Sequence, residues 1–189
     1  RADNRFDAQS IPQTWVDWYH YGGIPRSVSL ETLKGISILS DKIDYELSDD
    51  LKKAKVFITL DLFNAESIKS DSKIALTFGE NTVYSGEVTL EAKEKKEIKL
   101  PEFEVDNIML WDIEVPNLYS VAITSDTDDL RDRVGFRKVC VENEKIMLNG
   151  RKIEIRGVNR HEEHPDFGFA FPTNLMKKDI DIALDMGCN

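Results

Sequence analysis

The chain has 189 residues, 41% hydrophobic and 32% charged, and its 25 Lys and Arg against 35 Asp and Glu leave a formal charge of −10. That much apolar material excludes intrinsic disorder and suffices for one large domain or two small ones with a sizeable core. The acidic surface repels phosphate backbones and anionic headgroups, so neither nucleic acid nor a membrane is expected as a partner. No run approaches the roughly 18 unbroken apolar residues of a spanning helix. Cys140 and Cys188 lack a CxxC partner or a His at zinc-ligand spacing, which argues against a disulfide framework or a structural metal site. The chain opens on Arg1 rather than Met and stops at Gly187-Cys188-Asn189, where a helix is expected to end. Both ends therefore read as cuts inside a longer protein, and the lack of a leader says nothing about localisation.

From about Gly35 to Val141 the pattern predicts strand after strand. Val56, Ile58, Leu60 and Leu62 alternate with Phe57, Thr59, Asp61 and Phe63, a period of two. Ile74, Leu76 and Phe78 repeat it before a Gly79-Glu80-Asn81 turn. Val83 to Leu90, Glu97 to Leu100, Tyr119 to Ile123 and Val134 to Val141 follow. Polar breaks such as Ser48-Asp49-Asp50 and Ser125-Asp126-Thr127-Asp128 complete the signature of an antiparallel sandwich of about seven strands. Its size is immunoglobulin-like, without the paired cysteines of antibody domains. Tyr119, behind Pro116-Asn117-Leu118, suits either a tyrosine corner bonded back to nearby backbone or a half-buried strand position.

After Val141 the texture changes. Ile146 to Leu148, Asn149-Gly150 and Lys152 to Ile155 predict a hairpin whose turn has two positive-φ residues. Arg156 to His161 is expected to continue that strand into a polar loop. Pro172-Thr173 opens a helix with Thr173 as the expected N-cap. Met176, Ile180, Ala183, Leu184 and Gly187 share one helical face, and Leu175, Ile182 and Met186 form a second apolar row. Strand, loop and helix make one βα unit, which cannot cover both faces of its own strand.

Chemistry concentrates in Arg156 to Asp166, RGVNRHEEHPD. His161 and His164 are three apart, yet the spacing is not HExxH and Pro165 opposes a helix holding both rings on one face. Glu162 and Glu163 are adjacent and usually point apart, whereas a retaining glycosidase sets two carboxyl groups ~5 Å apart from separate strands. A solvated charged loop without a role is the third reading.

Three stretches, Val134-Gly135-Phe136-Arg137-Lys138, Leu148-Asn149-Gly150-Arg151 and Arg156-Gly157-Val158-Asn159-Arg160-His161-Glu162, resemble glycoside hydrolase family 2, which includes β-galactosidases, β-glucuronidases and β-mannosidases. Asp17-Trp18-Tyr19-His20-Tyr21-Gly22-Gly23-Ile24-Pro25-Arg26 is similar to the end of the family's N-terminal jelly-roll. Leu110-Trp111-Asp112 with Pro116-Asn117-Leu118-Tyr119 is similar to a late strand of its immunoglobulin-like domain. The five stretches follow the family's order.

The resemblance implies a mainly β chain. Residues 1–30 would be the C-terminal end of the jelly-roll sugar-binding domain and 31–138 the immunoglobulin-like β-sandwich domain. Residues 139–189 would be the truncated start of the (β/α)8 TIM-barrel catalytic domain, its first βα unit. His161 would lie just past the first barrel strand, where such barrels build their active sites. In the β-galactosidase branch the His of this motif contacts the sugar beside the cleaved bond, and substrate binding is carried to His161 on that basis. Arg156 is expected to point into the barrel interior as a hydrogen-bonded support, with Asn159 and Glu162 also standing behind the sugar-contacting groups. His164, before Pro165, reads as structural.

The family's two catalytic glutamates come from later barrel strands, so no catalytic residue is assigned here and this chain alone is expected to hydrolyse nothing. The full-length enzyme would be a retaining β-glycosidase acting through a covalent glycosyl intermediate, with no cofactor and no metal ligand assigned in this chain. Its partners would be the carbohydrate substrate and the rest of the same polypeptide, and a homo-oligomer is compatible with it. Asn159-Arg160-His161-Glu162 with His164-Pro165 and Gly168 looks closest to the β-galactosidase form, because glucuronidases usually carry Lys where this chain has Arg160. The alternatives are a β-glucuronidase or β-mannosidase of the same family, or a non-catalytic immunoglobulin-like module that binds carbohydrate or protein. The βα tail after Asn149 speaks against the module. Trp15, Trp18, Tyr19 and Tyr21 suit either sugar stacking or packing of the jelly-roll edge.

Overall fold

A computed structural model describes residues 23–189. The expectations on Trp15, Trp18, Tyr19 and Tyr21, and on the jelly-roll end as far as residue 22, lie outside the described residues. Two compact units emerge: Thr32–Glu154, and Ile155–Asn189 together with the described residues before Thr32.

The first unit contains β1 (Ile36–Leu47), β2 (Lys53–Asn64), β3 (Ser70–Phe78), β4 (Asn81–Leu90), β5 (Lys95–Lys99), β6 (Phe103–Asp106), β7 (Tyr119–Thr124) and β8 (Asp129–Val134). In one sheet β2 pairs with β1 along one edge and with β5 and β6 along the other. The second sheet runs β4-β3-β7-β8, and every pairing in both sheets is antiparallel. The period of two predicted for β2 puts Ala54, Val56, Ile58, Leu60 and Leu62 into the core, each at most 2% exposed. Ile74, Leu76, Phe78, Val121 and Ile123 belong to the same core. Full burial of each such aliphatic side chain contributes about 1.5–3 kcal/mol, which makes this alternation the main stabilising term.

Asn64 ends β2 with no exposed surface. Its Nδ2 faces the carbonyls of Ile68, Leu90 and Glu91 at 2.9, 3.2 and 2.9 Å, and its Oδ1 accepts from Glu66 N–H at 2.9 Å. One side chain thus satisfies buried backbone groups that the ladder leaves over.

Among the described residues the sandwich has eight strands rather than about seven. The start of β1 and the polar half of β8 carry no clean alternation, and β6 spans only four residues. In β1, Ile36, Ser37 and Ile38 are all buried, and the β1–β2 register shifts between Ile38 and Ser40. A bulge of this kind erases the period that announces a strand.

The predicted strand Val134 to Val141 is corrected to two. β8 ends at Val134, and the chain leaves the sheet before β9 (Val139–Glu142), which joins β10 (Lys145–Leu148) and β11 (Arg151–Lys152) in a separate three-stranded sheet. The cause is Gly135-Phe136-Arg137. A Cβ on Gly135 would stand 3.0 Å from Trp111 Cβ, so only glycine passes the indole freely. Phe136 then drops fully into the core, against Tyr45 and Tyr119, each with ring centroids at 5.1 Å.

The Asn149-Gly150 turn forms as expected, with φ of 52° and 77° and Leu148 paired to Arg151. A second two-residue turn, Asn143-Glu144 at φ 48° and 61°, joins β9 to β10. It escapes sequence reading because Glu seldom adopts positive φ. Beyond β11, Ile153 N–H still donates to Ile146 O at 3.0 Å, but residues 153–163 carry no strand pairing. A strand exists only through its neighbours, and the described residues supply none there.

In the second unit, α1 spans Thr173–Asp185. Pro172, not Thr173, is its N-cap, and no side chain caps it; the Pro172 carbonyl accepts from Leu175 and Met176 at 3.0 and 3.1 Å. The helix ends in a Schellman arrangement: Gly187 at φ 89° donates to Leu184 O at 2.9 Å, and Cys188 N–H to Ala183 O at 3.0 Å. No residue of α1 is buried, and Ile180, Ile182 and Leu184 are each about half exposed.

Candidate functional site

The polar loop of the second unit starts from a tie between its strand side and the end of the helix. Arg156 N–H donates to Asn189 Oδ1 at 2.9 Å, and Asn189 N–H returns to Arg156 O at 3.0 Å. The Arg156 residue itself is exposed. Asn159, also exposed, borders a hollow of about 250 Å³ between Val158 to Arg160 and the helix residues Asp179, Ile182, Ala183 and Met186.

Arg160 points onto the helix. Its Nε donates to Asp179 Oδ2 at 2.9 Å, and Nη2, sealed from solvent, is 2.8 Å from the same oxygen but makes no hydrogen bond to it. The guanidinium carbon sits 4.9 Å from the centroid of Phe171, itself 6% exposed. Glu162 pairs with Arg26, and its Oε1 is 3.5 Å from Arg160 Nη1. Between these tethered neighbours His161 is exposed, free to present ring nitrogens to hydroxyl groups. Glu163 has one carboxylate oxygen sealed from solvent and unpartnered, whereas Glu162 is exposed and balanced by two arginines.

His164 is held by its own turn. Its N–H donates to Gly168 O at 3.2 Å, Gly168 N–H returns to His164 O at 2.8 Å, and Nδ1 accepts from Asp166 N–H at 3.1 Å. Its ring leans on Phe167 and Phe171 at centroid distances of 5.0 and 5.8 Å. Among the described residues no three His, Cys, Asp or Glu side chains converge as metal ligands. Sequence reading missed Asp179 and Phe171 as partners of Arg160, because a contact across 19 residues leaves no local pattern.

Three of the other motif stretches, Leu110 to Tyr119, Val134 to Lys138 and Leu148 to Arg151, meet in the first unit and are architectural. Asn149 Oδ1 accepts from Lys138 N–H at 3.0 Å, and its Nδ2 donates to Trp111 O at 2.9 Å. Arg137 covers the Trp111 ring at 5.1 Å, and Trp111 N–H donates to Phe136 O at 2.8 Å. Arg151 Nη2 bonds Asp112 Oδ2 at 2.5 Å, which holds the Asp112 carboxyl below its ordinary value. The Tyr45 hydroxyl donates to Arg137 O at 3.0 Å, and Tyr119 Oη accepts from Met109 N–H at 2.7 Å. Tyr119 therefore bonds back to backbone ten residues upstream, in the manner of a corner, but as acceptor. Together these contacts fasten the β9–β11 hairpins to the sandwich.

Two family models match the chain, and the boundary between them falls inside the first compact unit rather than at its end. The family model described as glycosyl hydrolases family 2 matches residues 36–137, and that described as the family's TIM barrel domain matches residues 139–189. A β-galactosidase from Thermoanaerobacterium thermosulfurigenes is 31% identical over 88% of this chain and 24% of its own length. A putative β-glucuronidase from Formosa agariphila is 30% identical over 100% of this chain and 23% of its own. Among solved structures, a β-galacturonidase from Eisenbergiella tayi superposes with a TM-score of 0.88 at 34% identity, over 100% of this chain and 34% of that one. The Parabacteroides merdae β-glucuronidase gives 0.83 at 28% identity, over 100% and 25%. The chain thus spans about a quarter of the curated relatives it matches. Sandwich, hairpins, loop and helix are those of glycosyl hydrolases family 2, and this chain belongs to that family.

Proposed function

We propose that this chain is part of a retaining β-glycosidase, most closely a β-galactosidase, and that its own residues bind sugar rather than break the bond. In this reading residues 1–30 close a jelly-roll sugar-binding domain, 31–138 are a spacing sandwich, and 139–189 open the catalytic barrel. His161 hydrogen-bonds the sugar beside the cleaved bond, while Arg156, Asn159 and Glu162 support it. The two catalytic carboxylates belong to barrel strands beyond residue 189, so residues 1–189 alone are inactive. The observation that carries the reading is an exposed imidazole between two tethered neighbours in a stretch matched by the barrel-domain model.

A uronidase is the second reading, favoured by the galacturonidase and glucuronidase structures that match the whole chain. Arg160, the residue that leans the sequence towards galactosides, is engaged by Asp179 and Phe171. It therefore does not discriminate a neutral sugar from a carboxylated one. The test is to express the reading frame that contains this chain and compare kcat/KM on aryl β-galactoside, β-glucuronide and β-galacturonide. Preference for the galactoside, with a loss of at least tenfold in His161→Ala, is expected. Preference for a uronide would select the second reading, and no turnover of any of the three would overturn both.

A further inference from the structure

We infer that Arg160 is a positioning residue: pinned between Asp179 of α1 and the ring of Phe171, it fixes the backbone from which His161 reaches the sugar. The inference rests on the proposed role of His161 and adds the element that orients it.

An exposed ion pair contributes little, because water screens it and two long side chains lose freedom. This one is different in kind. The Arg160 side chain is only 24% exposed, its Nε donates to Asp179 Oδ2 at 2.9 Å, and its Nη2, sealed from water and without a hydrogen bond of its own, lies 2.8 Å from the same oxygen as an ion pair. The flat guanidinium face lies over Phe171, a contact that favours arginine's planar, delocalised charge. Glu162, the residue after His161, pairs with Arg26 and reaches Arg160 Nη1 at 3.5 Å. Arg160 is therefore anchored on one side of His161, Glu162 makes exposed ion pairs on the other, and His161 itself stays exposed. A short polar loop held this way loses the backbone freedom that would let the imidazole wander. Displacement by about 1 Å suffices to cost a site some hundredfold in rate.

The test uses the complete enzyme and a double-mutant cycle, with thermal unfolding of every variant as the check on folding. Arg160→Ala is expected to lower kcat/KM on the preferred aryl glycoside by about 10–100-fold. Arg160→Lys should recover part of that loss. In a His161→Ala background, Arg160→Ala should change kcat/KM by less than about twofold, because the group it orients is gone. Should Arg160→Ala fail to fold, Asp179→Asn is carried through the same cycle with the same expectation. Equal losses in both backgrounds would overturn the inference, as would wild-type kinetics in Arg160→Ala while His161→Ala is impaired. Wild-type kinetics in His161→Ala would instead overturn the underlying role of His161, so the two failures are distinct.

Discussion

Replacing Asn64 by Asp changes no volume and tests the accounting of buried hydrogen bonds directly. The side-chain amide of Asn64 is fully buried and faces three carbonyls at 2.9–3.2 Å. A carboxylate keeps the acceptor role towards Glu66 N–H but turns a second oxygen on those three carbonyls. Losing two donated bonds costs about 2 kcal/mol, and carbonyls left unsatisfied add about 1–3 kcal/mol. At pH 7 the expected loss is therefore about 3–5 kcal/mol, a large share of the 5–15 kcal/mol typical of a domain. The introduced carboxyl is favoured in its protonated form on folding, so its folded pKa lies above the unfolded value of about 3.9. The stability it retains is present below that value and is lost as pH rises through the folded pKa. Urea unfolding followed by far-UV circular dichroism, at pH 4 and pH 7, would read both effects against wild type. Asn64→Ala is the control, with a cost independent of pH. A loss under 1 kcal/mol at pH 7, or the same ΔΔG for Asp at both pH values, would refute the reasoning.

Further outcomes follow from other sites. Phe136→Ala empties a fully buried site ringed by Tyr45, Phe78 and Tyr119 and should cost about 3–5 kcal/mol by the same unfolding assay. Asn149→Gly loses two side-chain bonds and should cost about 2 kcal/mol. Asn149→Ala should cost about 1 kcal/mol more, since φ of 52° strains alanine and not glycine. The Asp41 carboxyl is raised above its ordinary value, chiefly by burial and then by Asp132. Its stabilising contribution is present below the unfolded pKa of about 3.9 and lost as pH rises through the folded one. Asp41→Asn should therefore unfold at higher temperature than wild type at pH 7, with the gap closing towards pH 4.

The sandwich was legible where burial is one-sided, because the alternation in β2 and β3 records which face meets the core. It was illegible at the start of β1, where a bulge and three consecutive buried residues replace alternation, and at Gly135, where passage past Trp111 ends a strand that composition would continue. Asn149-Gly150 could be read because positive φ restricts the residue choice, whereas Asn143-Glu144 breaks that preference and could not. In the loop, the motif drew attention to His161, which is exposed, while the hydrogen bonds that close the turn of His164 left no pattern in the sequence. Thr173 was misplaced by one residue because Pro172 already has the extended backbone of a cap. The Arg160–Asp179–Phe171 cluster had no sequence signal, since its members meet only when the loop folds over α1.

In the proposed function these residues recognise the sugar while bond cleavage is done elsewhere in the same polypeptide. The most direct measurement is to treat the complete enzyme with a mechanism-based 2-deoxy-2-fluoroglycoside and map the covalent adduct by peptide mass spectrometry. The account predicts a single glycosyl ester on a glutamate C-terminal to Asn189. An ester on Glu162 or Glu163, or an active enzyme that forms no adduct, would contradict it.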